Sequence, residues 1–159
     1  MHFTLIALLV ITLLALIIFF IVWTGNNDQR KIKWRLKENY DTLVERNHMN
    51  VDIMEEFRRR IIGLDRVNRM VLFIDLSREK EQIYLFDLST IRSCHVKKNG
   101  KEAGGYRSDI YIECILKGEG KPAIPLPFYE ESVDSIQDML FLSKKAEFWA
   151  QKINIFMNV

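Results

Sequence analysis

The sequence predicts an α+β chain: an N-terminal transmembrane helix, a juxtamembrane helix, then a small antiparallel β-sheet or open barrel capped by a C-terminal helix. Three observations carry it. The chain opens with 21 residues, from Phe3 to Trp23, that hold no charge, no Gly and no Pro. From Ile61 short apolar runs alternate with polar residues and are bounded by turn residues, the period of two that marks strands. Beyond Ser135 the spacing changes to three and four, the helical period.

The run from Phe3 to Trp23 reads as a membrane anchor. At 1.5 Å per residue it measures roughly 31 Å, close to the ~30 Å hydrocarbon thickness of a bilayer. It has none of the marks of a cleaved signal, since only Met1 and His2 precede it and no small-residue pair follows it. Arg30, Lys31, Lys33, Arg35 and Lys37 lie just past its end and no cation lies before it, so the positive-inside bias predicts a cytoplasmic C-terminal portion. The localisation expected is therefore the cell membrane, single-pass, with the N-terminus outside and the bilayer as a partner through Phe3 and its successors. A cytoplasmic placement also keeps Cys94 and Cys114 reduced, and their spacing is not a zinc pattern.

The remaining chain divides into a helical linker, residues 26–60, and a β-rich domain, residues 61–159, behind the anchor at 1–25. Asn26, Asn27 and Asp28 are N-cap candidates, and Ile32, Leu36, Tyr40, Leu43 and Val44 recur at helical spacing up to about Arg46. Six strands are expected, over residues 61–64, 69–76, 82–88, 90–98, 106–117 and 123–129. Asn99-Gly100 and the glycines at 104, 105, 118 and 120 supply turns. Pro122, Pro125 and Pro127 argue that the last strand is an edge strand or an irregular one. Ser132 or Ser135 caps the final helix, whose core stripe is read as Ile136, Met139, Leu140, Ala146, Trp149, Ile153 and Phe156.

This order of elements resembles the pleckstrin-homology superfold in its small bacterial PH-like and GRAM-like versions. The residues that carry the resemblance are Ile62-Gly63-Leu64-Asp65 entering a first hairpin, the run Tyr84-Leu85-Phe86-Asp87-Leu88-Ser89-Thr90-Ile91, and Ala146-Glu147-Phe148-Trp149 in the last helix. Trp149 is similar in place to a tryptophan that packs on the barrel in that superfold. Six strands stand where the superfold has seven, so either residues 90–98 split or a strand runs from 54 to 60. The resemblance implies a binding module, for protein or for phospholipid, with contacts at Arg66 and Arg69 of the first hairpin loop and at Lys97, Lys98 and Lys101.

Charge bears on that choice. From Val67 to the C-terminus 13 basic and 13 acidic side chains cancel, which argues against a phosphoinositide site. The local exceptions, Arg58-Arg59-Arg60 and the Lys97, Lys98, Lys101 group, read as solvated edges. No P-loop, GxGxxG or HExxH occurs, and neither His48 nor His95 joins a nucleophile and a base, so no enzyme, cofactor or metal centre is expected. The sheet lacks the basic stripe that nucleic acid requires. The expected function is a membrane-anchored cytoplasmic module that binds a protein partner or self-associates, at strand edges or at the groove beside the last helix. The alternatives are an anionic-lipid-binding PH-like domain or a structural subunit of a membrane assembly.

Overall fold

The computed structural model describes residues 2–100, 108–118 and 120–157, with side chains described throughout except at 2–11, 21–22, 24–29, 100 and 108. Helix α1 (His2–Arg46) leads into β1 (Ile53–Phe57), β2 (Arg60–Asp65), β3 (Met70–Asp75) and β4 (Gln82–Asp87). A 3-10 turn capped by Asp87 follows, then β5 (Ile91–Gly100), β6 (Ser108–Leu116) and β7 (Ile124–Tyr129), and α2 (Met139–Met157) closes the chain. The strands form two antiparallel sheets, β1-β2-β3-β4 and β5-β6-β7. The α+β class is therefore as expected for this portion, and β7 is the edge strand that its prolines demand.

Strands β2 and β3 explain the arrangement. Every residue of β2 and all but the first of β3 are buried, so the sheet they centre is covered on both faces. On the inner face Ile62, Leu64, Val71 and Phe73 join Phe86, Ile112, Leu126, Phe128 and the α2 residues Leu142, Ala146, Trp149 and Ile153 in the main core. On the outer face Ile61, Leu72 and Ile74 pack under Leu36, Tyr40 and Met49, with Leu43 and Val44 at the margin. The stripe expected at helical spacing from Ile32 to Val44 thus packs on the sheet, chiefly through Leu36 and Tyr40. Gly63 makes the close approach possible, because a Cβ there would overlap the phenol oxygen of Tyr40 and come within 3.0 Å of its Cε2. Three polar links reinforce the seat: Lys33 to Glu56, Arg35 to Glu81 and Asn39 to Glu81.

Several expectations are corrected. Among the described residues no helix is both long and apolar enough to cross a membrane. The single-pass anchor from Phe3 to Trp23 is therefore not supported, nor are the cell-membrane localisation, the N-terminus-outside orientation and the cytoplasmic placement deduced from it. Within that run the residues whose side chains are described are 12–20 and Trp23, and they do not make up a membrane-crossing segment. Residues 3–11 and 21–22 lie outside the described side chains. The backbone also stays helical through residues 26–28, so no helix starts there, and the two helices expected are one element. Helix formation is cooperative, and extending a helix costs far less than stopping and renucleating it.

The described strands number seven: of the two ways to a seventh given above, the strand over 54–60 is found, at residues 53–57, within what was assigned to the linker, and it pairs along β2 from Ile53↔Leu64 to Phe57↔Arg60. Glu55 and Glu56 break the apolar alternation of this strand. Both have partners: Glu55 accepts from Trp149 Nε1 at 2.7 Å and from Lys145, and Glu56 faces Lys33. The α2 stripe also shifts. Leu142, Ser143 and Ala150 are buried with Ala146, Trp149 and Ile153, whereas Ile136 and Leu140 are each 67% exposed. The shift follows from a 3-10 turn at Ile136–Asp138, capped by Ser135, which delays the α-helix to Met139 and rotates its face.

The packing at Gly63 sets an expected outcome. Gly63→Ala lowers unfolding free energy by about 1–3 kcal/mol in urea titration, the usual cost of overpacking. Tyr40→Phe alone is near neutral, since the buried Tyr40 hydroxyl has no hydrogen-bond partner, and it relieves part of the Gly63→Ala loss.

Candidate interaction surface

One end of the fold is built from buried charge. Arg60, expected at a solvated edge, is instead fully buried on the inner face of β2. Its guanidinium donates to Asp75 at 3.0 Å, to Asp134 at 3.0 Å and to Ser77 at 3.2 Å. Burial works against the charged form, but the Asp134 and Asp75 carboxylates outweigh it and hold the guanidinium protonated. Asp134 also accepts from the Glu130 backbone, and Glu130 receives Arg78 through its Nε at 2.9 Å. Arg58 pairs with Asp138. These links tie β2 and β3 to the segment between β7 and α2, and so set where α2 begins.

The opposite end is organised by Asp65. Its fully buried carboxylate accepts from the backbone N–H of Asn50 at 2.6 Å and of Asn68 at 2.8 Å, and from Asn68 Nδ2 at 2.7 Å. Burial raises its pKa, and these donors more than reverse that, holding it below the ordinary carboxylate value. This hairpin is the β2–β3 loop, not the first hairpin of the sheet. The β1–β2 turn carries Arg58 and Arg59, with Arg58 at φ 54°.

The cations singled out from the sequence are largely committed. Arg66 pairs with Asp52 at 3.0 Å and lies 5.7 Å from the centre of the Phe156 ring. Arg69 donates to the carbonyl of Met157 at 2.9 Å, closing the C-terminal end of α2. Arg66 and Arg69 share a hollow of about 400 Å³ with Asp52, Val67 and Phe156. Lys97 pairs with Glu113 at 2.9 Å and Lys98 with Glu147 at 3.9 Å, while Lys101 lies outside the described residues. Of the residues read as membrane-proximal, Lys33 and Arg35 pair with acids of the sheet. Arg30, Lys31 and Lys37 are exposed, and Arg30 and Lys37 flank Trp34 in a groove along α1. The loop cations and the Lys97–Lys98 group therefore form two separate settings, not one basic cluster.

Two of the strand edges expected to receive a partner, β5 and β7, are blunted. Asn154 of α2 accepts from the Cys94 N–H at 2.9 Å and donates to the Cys94 carbonyl at 2.7 Å, taking the place of a neighbouring strand on β5. On β7 a proline is compatible with pairing only where its nitrogen faces away from β6. Pro125 and Pro127, two residues apart, remove successive donors from the open side.

The outer face of α2 is also uncovered, and the apolar side chains of α1 from Leu13 to Phe20 are exposed as well. Phe141, Phe148 and Ile155, spaced by seven, are each about half exposed, and Leu140 and Ile136 extend the row at its start. Lys145 sits 4.7 Å from the centre of the Phe141 ring and Lys152 5.4 Å from that of Phe148. Next to Phe141 opens a cleft of about 650 Å³ between the β1–β2 turn and the start of α2, lined by Arg58, Arg59, Val133, Asp138 and Lys145. The sequence signal was present, since positions 141, 148 and 155 are plain on a helical wheel. It went unread because Ile136 and Leu140 were assigned to the core.

The chain matches no family model, no curated protein and no solved structure. The surface must then be interpreted from its own chemistry: apolar, helical, and fringed by lysines.

Two outcomes follow from the buried charges. Arg60→Met leaves Asp75 and Asp134 without their counter-charge and costs about 3–5 kcal/mol in chemical denaturation at neutral pH. Asp65, with a lowered folded pKa, contributes stability that is complete above about pH 5 and lost as pH falls through the acid range. The stability gap between the parent and Asp65→Asn is therefore widest near pH 7 and narrows steadily from about pH 5 to pH 2.

Proposed function

We propose that the chain is a protein-interaction module of PH-like architecture, that its docking surface is the outer face of α2, and that its partner is a helix bearing acidic side chains. The observation that carries this is the exposed row Phe141, Phe148 and Ile155 on a helix whose opposite face is already a complete core stripe. A seven-residue repeat keeps side chains on one line along a helix, which is the pattern that receives another helix. Contiguous apolar surface of this kind on a folded domain marks an interaction site.

Charge selects the partner. Lys144, Lys145 and Lys152 border the row, and the acid on the same side, Glu147, faces Lys98. A cationic rim favours an acidic partner and raises its rate of encounter. A second copy of α2 would bring like charges together, which disfavours self-association through this face. The order of four strands, then three, then a helix with Trp149 fully buried on the strands supports the PH-like part of the reading. The loss of usable edges on β5 and β7 favours a helix face over strand addition.

The reading is tested by fluorescence anisotropy of the full chain with a labelled amphipathic peptide that carries Leu at heptad positions and Glu on its flanks, beside a twin with Lys for Glu. The Glu peptide binds at least about tenfold more tightly, with an affinity that falls as salt rises. Phe148→Glu weakens it by a similar factor while the thermal midpoint stays within a few degrees, because the side chain is exposed. Equal binding of the two peptides, or unchanged binding by Phe148→Glu, defeats the proposal. Preference for vesicles of anionic phospholipid over either peptide also defeats it and assigns the face to lipid.

A further inference from the structure

Cys94 and Cys114 stand directly opposite each other on β5 and β6. Both thiols point into the main core and are almost completely buried. The two hydrogen bonds from Asn154 define the kind of pair they make. Because the N–H and the carbonyl of Cys94 both turn outward to Asn154, neither is directed at β6, so Cys94 and Cys114 occupy a non-hydrogen-bonded site of the ladder. That is the closer of the two antiparallel pairings, with Cα atoms about 4.5 Å apart and side chains nearly touching. The separation falls inside the range that a disulfide spans, about 4.4–6.8 Å between Cα atoms.

We infer that Cys94 and Cys114 are an oxidation site, a dithiol that closes to an intramolecular disulfide with a low-molecular-weight disulfide as oxidant, and that the seating of α2 controls access to it. The Cys94 thiolate, on the strand next to α2, attacks one sulfur of the oxidant and releases one thiolate from it. The Cys114 thiolate then attacks the Cys94 sulfur, forms the Cys94–Cys114 bond and releases the second oxidant thiolate. The protein loses two electrons and two protons, and the oxidant gains both as two thiols.

The closed structure resists this chemistry. Its hydrogen bond with Cys94, together with burial, pushes the Cys114 thiol far above its ordinary pKa and keeps it protonated. Reaction therefore requires local opening, and the element to lift is α2, whose Asn154 clamps the Cys94 backbone. Oxidation proceeds through a minority open state, at a rate set by how often α2 leaves β5. A site built in this way responds to sustained oxidising conditions and ignores brief ones.

The test incubates the full chain with oxidised glutathione near pH 8, quenches with acid at intervals, and maps the cysteine-containing peptides by mass. The expected product is one Cys94–Cys114 disulfide, lighter than the dithiol by two hydrogens, formed about tenfold faster in Asn154→Ala. Two free thiols at equilibrium, or accumulation of glutathione adducts alone, overturns the site. An Asn154→Ala rate equal to the parent's overturns the gate. Should Asn154→Ala fail to fold, the parent in urea below its unfolding midpoint replaces it: a rate rising with urea supports opening, and a flat rate overturns it.

Discussion

Strands β2 and β3 have no solvent face, and most of the fold follows from that condition. A sheet that is apolar on both sides needs two covers, and the chain provides them from its two ends. Residues 36–49 cover the outer face, and the second sheet with α2 covers the inner one. The outer cover sits close because position 63 has no side chain, which lets the Tyr40 ring lie against the backbone of β2. Burial of the ring pushes the Tyr40 hydroxyl up to about 12 and keeps it neutral, so the contact brings no charge into the outer core.

The inner cover depends on charge as well as on apolar area. A buried guanidinium is tolerable only when its donors are met, and Arg60 meets two carboxylates and a hydroxyl from two parts of the chain, the end of β3 and the segment before α2. Because one of these, Asp134, lies just before α2, the network fixes where the helix starts. Together with the indole of Trp149 bonded to Glu55, this sets the rotation of α2 on the strands. The same rotation that buries Trp149 and Ile153 turns Phe141, Phe148 and Ile155 outward. Core polarity and the exposed row are thus two results of one placement.

Much of this was legible in the order of residues. Six of the strands, the helix ending at Arg46 and the edge position of β7 follow from alternation, helical spacing and proline chemistry, all local effects. The strand at 53–57 was legible only as one of two alternatives, because Glu55 and Glu56 break its alternation and are explained only when Trp149, Lys145 and Lys33 are brought opposite them. The lysines and arginines chosen as contacts were identified by sign alone. Sign does not reveal a partner, and Arg66, Lys97 and Lys98 each have a carboxylate across a strand or from a helix. Hydropathy alone likewise suggested a membrane anchor at Phe3 to Trp23, which the described residues do not support.

By itself the sequence determined the α+β class, the antiparallel hairpins and the segments that form them, since these rest on contacts between residues near each other in the chain. Tertiary structure alone decided which apolar residues are core and which are surface, that Arg60 is interior, and that Cys94 faces Cys114. Each of these depends on register and rotation between elements distant in the chain. A shift of one residue in a strand, or of one turn at the start of a helix, exchanges the buried face for the exposed one. The choice between the two sources of a seventh strand, the free face of α2 and the paired thiols all come from that level.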